Sequence, residues 1–173
     1  MGIAVASAID AVNKMTNPQV QIRRATDTDA QLLFGWRNDP VTIANSRSNA
    51  GVAWENHSRW LSENLRRDNV VILIGVHQDT PCGLVWFKRG RAGVWETSVD
   101  MAATSRGKKL SKPMLETALH WMRKNVAAIY FSTEIGDENA AAIRMYEQCG
   151  FIYIHPSPGF GTFCTLSPVP DRK

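Results

Sequence analysis

Long apolar runs are missing from this chain of 173 residues. The longest, Val70 to Val76, falls far short of the ~18–20 residues of a membrane span and reads as one buried strand. Cysteine is scarce. Cys82, Cys149 and Cys164 are an odd number with no Cys-x-x-Cys pair, which excludes a disulfide framework or a cysteine zinc site and suggests a reducing, cytoplasmic compartment. A basic leader is absent: the apolar start MGIAVASAIDAVNKM holds Asp10, which speaks against a signal peptide. Charge of one sign is also slight. The net charge of +4 is too small for a nucleic-acid coat, although it favours an anionic ligand.

What is present is ordinary globular material. With 44% hydrophobic and 21% charged residues, the chain fits one domain with a real core. Residues 1–19 read as an N-terminal extension, a short helix or arm, and residues 20–173 as a single domain. Val20 to Thr26 alternates as a strand, and Asp27 offers a helix cap. Ala30, Leu32, Leu33 and Trp36 follow at helical spacing, until Asn38-Asp39-Pro40 stops the helix. Thr42 to Gly51 reads as loop and Trp54 to Arg67 as a second helix. Three strands joined by short turns come next: Asn69 to His77, Cys82 to Lys88 and Val94 to Met101. A helix over Lys112 to Asn125, a strand over Ala127 to Ile135, a helix over Asn139 to Gln148 and strands over Phe151 to His155 and Thr162 to Leu166 complete the order. The helical crossover after Met101 implies one parallel strand pair in an otherwise antiparallel sheet, hence an α/β mixed sheet with helices on both faces.

Two segments carry chemistry. In SVDMAATSRGKKLSKPMLETAL a strand feeds a basic loop and then a helix start, where unpaired backbone N–H groups and the helix dipole make an anion site. Arg106, Lys108, Lys109 and Lys112 crowd that turn, and Pro113 fits because it lies in the first turn. Alone, the stretch reads equally as a solvated basic loop. The second segment is NAAAIRMYEQCGF, residues 139–151, a helix with a glycine stop and an aromatic strand start. From spacing alone, Tyr146 there is core.

In this order, the two segments resemble the GNAT superfamily of acetyl-CoA-dependent N-acyltransferases. The loop Arg106-Gly107-Lys108-Lys109-Leu110-Ser111 resembles that family's pyrophosphate loop, with Lys109 and Ser111 where small residues are usual. Asn139, Ala142, Tyr146, Gly150 and Phe151 match its later pattern in full. The resemblance implies a GNAT-like fold whose fourth and fifth strands splay apart to admit acetyl-CoA. It implies cofactor contacts at Val99, Met101, Arg106 to Ser111, Asn139, Ala142 and Tyr146. The loop tolerates Lys109 if that residue keeps a negative φ and points outward. LLFGWRNDP and WENHSRWL further resemble a branch that acetylates nucleotide-linked amino-deoxy sugars, the pseudaminic-acid pathway type. That places Trp36, Arg37, Asn38, His57 and Trp60 at the acceptor, although each is also explained as core packing, a buried histidine or a helix cap.

The implied reaction is direct attack of a neutral amine on the thioester. The resemblance makes Tyr146 the acid for the leaving thiolate. For the base, Glu96, Glu134 and His57 stay open beside solvent alone. Glu96 shares a face with Met101 only if the strand bulges between them. No cysteine sits as a nucleophile. The acceptor is expected to be a small-molecule amine, a nucleotide-linked amino sugar first, with no nucleic acid and no membrane as partner. A homodimer is compatible with the resemblance. The competing readings are a protein N-terminal acetyltransferase and a non-catalytic acyl-CoA-binding domain.

Overall fold

The computed structural model describes residues 19–165. The expected N-terminal arm and the strand end at Leu166 lie outside the described residues, apart from Gln19. Seven strands form one sheet in the order β1-β2-β3-β4-β5-β7-β6. They are β1 (Gln21–Arg24), β2 (Val70–His77), β3 (Thr80–Arg89), β4 (Trp95–Met101), β5 (Phe131–Gly136), β6 (Phe151–Ser157) and β7 (Phe160–Thr165). All neighbours are antiparallel except β4 and β5, the one parallel pair. The helices are α1 (Ala30–Arg37), α2 (Pro40–Ala44), α3 (Trp54–Leu65), α4 (Ser111–Val126) and α5 (Ala140–Gln148).

The sheet separates two cores. On one face α4 buries Met114, Leu115, Ala118, Leu119 and Met122 against Val71, Leu73, Val85 and Phe87. Each such Leu or Met contributes roughly 1.5–3 kcal/mol on removal from water. α4 comes so close that a side chain on Gly75 would collide with Met114. On the other face, Leu33 and Trp36 of α1 and Leu61 of α3 cover Ile72, Ile74 and Leu84. Alternation along β4 then assigns its side chains: Trp95, Thr97, Val99 and Met101 face α4, while Glu96, Ser98 and Asp100 face the α1 and α3 side.

Two expectations are corrected. The polar stretch after Asp39 is not all loop, because Pro40–Ala44 is a helix. The Asp39 carboxylate caps it by accepting from Val41 and Thr42 N–H, and Pro40 occupies the first turn, where no N–H is needed. The first cap is not Asp27 either. Asp29 is buried, accepts from Thr26 N–H at 2.8 Å and pairs with Arg23 at 2.7 Å.

The feature that positions the site is the brevity of the β4–β5 pairing. It consists of Trp95 opposite Phe131 and Glu96 opposite Ser132, and beyond Glu96 the strands part.

Candidate active site between the splayed strands

Trp95 N–H donates to the Tyr130 carbonyl at 2.9 Å, so it points towards β5. By alternation, the N–H groups of Val99 and Met101 point the same way, into a gap where β5 no longer answers them. Ala102 N–H points oppositely, to the Cys82 carbonyl of β3. The backbone of Val99 and Met101 therefore presents free donors along the gap.

Two cavities meet in the gap. The smaller, about 300 Å³, is lined by Val99, Met101, Arg106, Gly107, Lys109, Leu110, Ser111, Asn139 and Ala142 among others. Its floor is the start of α4, where no side chain caps the helix and Ser111 and Lys112 N–H have no intrahelical acceptor. An anionic group fits there. Lys108 does not line this cavity, and Lys112 turns along the helix to pair with Glu116 at 3.0 Å. The condition of a negative φ at Lys109 is not met. Lys109 has φ +59°, and Gly107 has φ +74°. The loop thus keeps a left-handed turn that glycine takes freely, at a cost of roughly 1–2 kcal/mol for the lysine. Arg106 is committed sideways, to the Asp39 carboxylate at 2.6 Å.

The larger cavity, about 620 Å³, lies on the α1 and α3 side. Tyr146, Thr133, Glu134, Arg37, His57, Trp60, Trp86, Ser98 and Asp100 help to line it. Asp100, Val99, Asn139 and Ala142 line both cavities and mark their junction. The pattern on α5 now has physical content. Asn139 caps the helix by accepting from Ala142 N–H at 3.1 Å. Ala142 leaves room at the junction. Gly150, at φ +87°, ends the helix, and Phe151 packs edge-on against Tyr146 at 5.0 Å. The Tyr146 hydroxyl is buried with no hydrogen-bond partner among the described residues. Burial holds its pKa well above the ordinary tyrosine value, and the Thr133 hydroxyl opposes the shift.

The base candidates separate. β4 has no bulge. Glu96 stays exposed at the paired end of the fork and lines neither cavity. Glu134 lines the larger cavity, but Arg47 holds its carboxylate at 2.8 Å. His57 is buried between Phe34 and Trp60, and burial lowers its pKa, so it is neutral at neutral pH. The carboxylate that β4 sends to the junction is Asp100. Burial raises its pKa, with Arg37 and Arg106 opposing. The β4 alternation, Glu96-Ser98-Asp100 against Thr97-Val99-Met101, was the signal that could have found it.

The expected acceptor residues also divide. Arg37, His57 and Trp60 line the larger cavity. Trp36 is core. Asn38 is a fastener: its side chain donates to the Val52 carbonyl at 3.1 Å and accepts from Val52 N–H at 2.8 Å. No cysteine lines either cavity, and burial pushes the Cys149 thiol up to about 12.

Residues 33–151 match the Acetyltransferase (GNAT) family, and the chain belongs to it. Solved structures share the fold. A domain from Methanocaldococcus jannaschii superposes with a TM-score of 0.74 at 21% identity, over 86% of this chain and 99% of its own. The spermidine N-acetyltransferase from Vibrio cholerae, in complex with CoA and spermine, gives 0.74 at 13%, over 84% and 93%. An aminoglycoside acetyltransferase in complex with coenzyme A gives 0.72 at 19%, over 85% and 94%. No curated protein matches the chain by sequence.

Proposed function

We propose that this N-acetyltransferase moves the acetyl group of acetyl-CoA directly to the primary amine of a nucleotide-activated amino sugar. The observation that carries the reading is the junction itself. Asp100 on β4 and Tyr146 on α5 both border the larger cavity, where it meets a smaller one floored by an uncapped helix start.

When bound, acetyl-CoA supplies the acetyl group as an activated thioester. Val99 and Met101 N–H would hold its amide chain, and the α4 N-terminus its pyrophosphate. Asp100 orients the acceptor ammonium and takes its proton. Its raised pKa makes it a stronger base than an exposed aspartate. Tyr146 stays protonated across the working range and gives its proton to the departing thiolate. The buried, unreactive Cys149 and the cysteine-free cavities support transfer without a thiol relay.

For the acceptor, a cavity of about 620 Å³ gives room for a large polar molecule, and Trp60 offers an aromatic face. The reading keeps the protein in the cytoplasm. The exposed Ile152, Tyr153 and Ile154 on the β6 edge of the sheet support a homodimer.

The test is thiol release from acetyl-CoA with nucleotide-linked amino sugars, with peptides bearing a free N-terminus and with no acceptor. Turnover led by the nucleotide sugars is the expected result. Turnover with the peptides alone would reject the acceptor class.

A further inference from the structure

Besides Tyr146, the larger cavity is lined by three residues with a buried polar atom that meets no hydrogen-bond partner among the described residues: Arg37 Nη1, Trp86 Nε1 and His57 Nε2. The guanidinium and the indole N–H can only donate. Buried donors without acceptors are costly, and a ligand oxygen removes that cost.

Arg37 is set up on one side for this. Its Nη2 donates to Ser48 Oγ at 3.2 Å and to the Ala50 carbonyl at 3.1 Å. The loop after α2 therefore anchors the guanidinium and leaves Nη1 unmatched. Trp86 lies on β3, opposite Ser98 of β4, on the same face of the sheet as Asp100.

The charges are ordered along the cavity. Asp100 lines both cavities and sits at the junction, whereas Arg37 and Trp86 line only the larger one. Glu134, the other carboxylate there, is matched by Arg47. An acceptor that lays its amine at Asp100 thus runs towards a cation and an N–H donor.

We propose that Arg37 and Trp86 form a subsite for an anionic oxygen group, a phosphate or a carboxylate, carried by the amine acceptor. The inference rests on the acetyl-transfer reading and requires its acceptor, nucleotide sugar or not, to carry a negative charge. A polycation such as spermine would set positive charge against Arg37 and leave both donors unmet.

The experiment measures binding by calorimetry to the protein saturated with coenzyme A, which fills the smaller cavity and permits no transfer. Glucose, glucose 6-phosphate and glucuronate are the probes, because they share one ring and differ in charge. At least one charged probe should bind tenfold or more tightly than glucose. Preference for the phosphate or for the carboxylate assigns the source. Arg37→Gln and Trp86→Phe should each shrink that preference, the second by removing only an N–H. Equal affinity for all three probes, including no measurable binding of any at millimolar concentration, would overturn the subsite. So would variants that weaken all three alike. A charge preference that survives while nucleotide sugars fail as acetyl acceptors would reject only the previous reading.

Discussion

The guanidinium of Arg106 lies 2.6 Å from the carboxylate of Asp39. These residues belong to different parts of the site: Arg106 to the loop before α4, and Asp39 to the cap of α2. Thr42, also on α2, accepts from Arg106 at 3.4 Å and lines both cavities. The proposed cofactor loop and the wall of the larger cavity are thereby pinned to each other. Arg106→Ala and Asp39→Ala should weaken coenzyme A binding to a similar degree, and the double variant should be no worse than the weaker single within about twofold, as for residues acting through one shared contact. Calorimetric titration of the three variants checks this, and fully additive losses would count against a shared role.

Removing one oxygen tests the proton donor. Tyr146→Phe should lower kcat by roughly 10²–10⁴, the usual contribution of a positioned acid. Coenzyme A affinity should hardly change, since the hydroxyl makes no hydrogen bond among the described residues. Because burial raises the phenol pKa, the wild-type rate should show no Tyr146-dependent fall below pH 10. Stopped-flow measurement of the chemical step across pH reads both effects.

Asp100→Asn should remove the proposed base without removing the shape. The rate of an enzyme that needs an ionised Asp100 rises with pH through that group's pKa. With the pKa raised by burial, the rise should fall at higher pH than for an exposed aspartate. The variant should lose that limb and, at neutral pH, a factor of roughly 10²–10⁴ in kcat/KM. An unchanged pH profile would return the role to solvent.

Lys109→Gly should stabilise the protein. The lysine holds φ +59°, a region in which a Cβ is strained. Relief of that strain, less the entropy of a more flexible unfolded chain, leaves a gain of about 0.5–1 kcal/mol. That corresponds to a few degrees in Tm for a domain of this size. Differential scanning calorimetry measures it, and a lower Tm would show that the lysine side chain holds the loop.

Asp29→Asn should cost about 1–2 kcal/mol, because it weakens the charge-assisted bond between the buried Asp29 and the half-exposed Arg23. The Arg23 hydrogen bond holds the Asp29 pKa below its ordinary value. A lowered folded pKa stabilises the protein above the unfolded pKa, near 4, and that stability is lost as pH falls through the folded value. Urea titrations at pH 7 and pH 3 should show the variant's deficit shrinking on acidification.

Much of this architecture is legible in the chain because its signals are local. The run Val70 to Val76, the Asn139–Phe151 pattern and the basic turn before α4 each declare an element by composition or spacing. Helix α2 escaped because Asp39-Pro40 ends one helix and starts another with the same residues. Asp100 escaped because alternation along β4 sorts its residues into two faces without saying which one meets the cavity, and the packing of the sheet decides that. Trp36 and Asn38 look like site residues from their place beside Arg37, but one turn of helix rotates them into the core and onto Val52. The Arg106–Asp39 contact joins residues too distant along the chain for any local pattern to pair them. The left-handed Lys109 is a tertiary outcome as well, since the surrounding loop overrides that residue's own preference.

The short β4–β5 pairing has a consequence for how binding can be observed. In an ordinary sheet the amide protons of Val99 and Met101 would be locked in a ladder. Here they face the gap, so in the free protein they should exchange with solvent deuterium much faster than their β3-facing neighbours Ser98 and Asp100. Occupying the cleft replaces the missing strand. Exchange at those two amides should then slow, which makes two backbone positions a site-resolved gauge of cofactor occupancy that needs neither turnover nor a known acceptor.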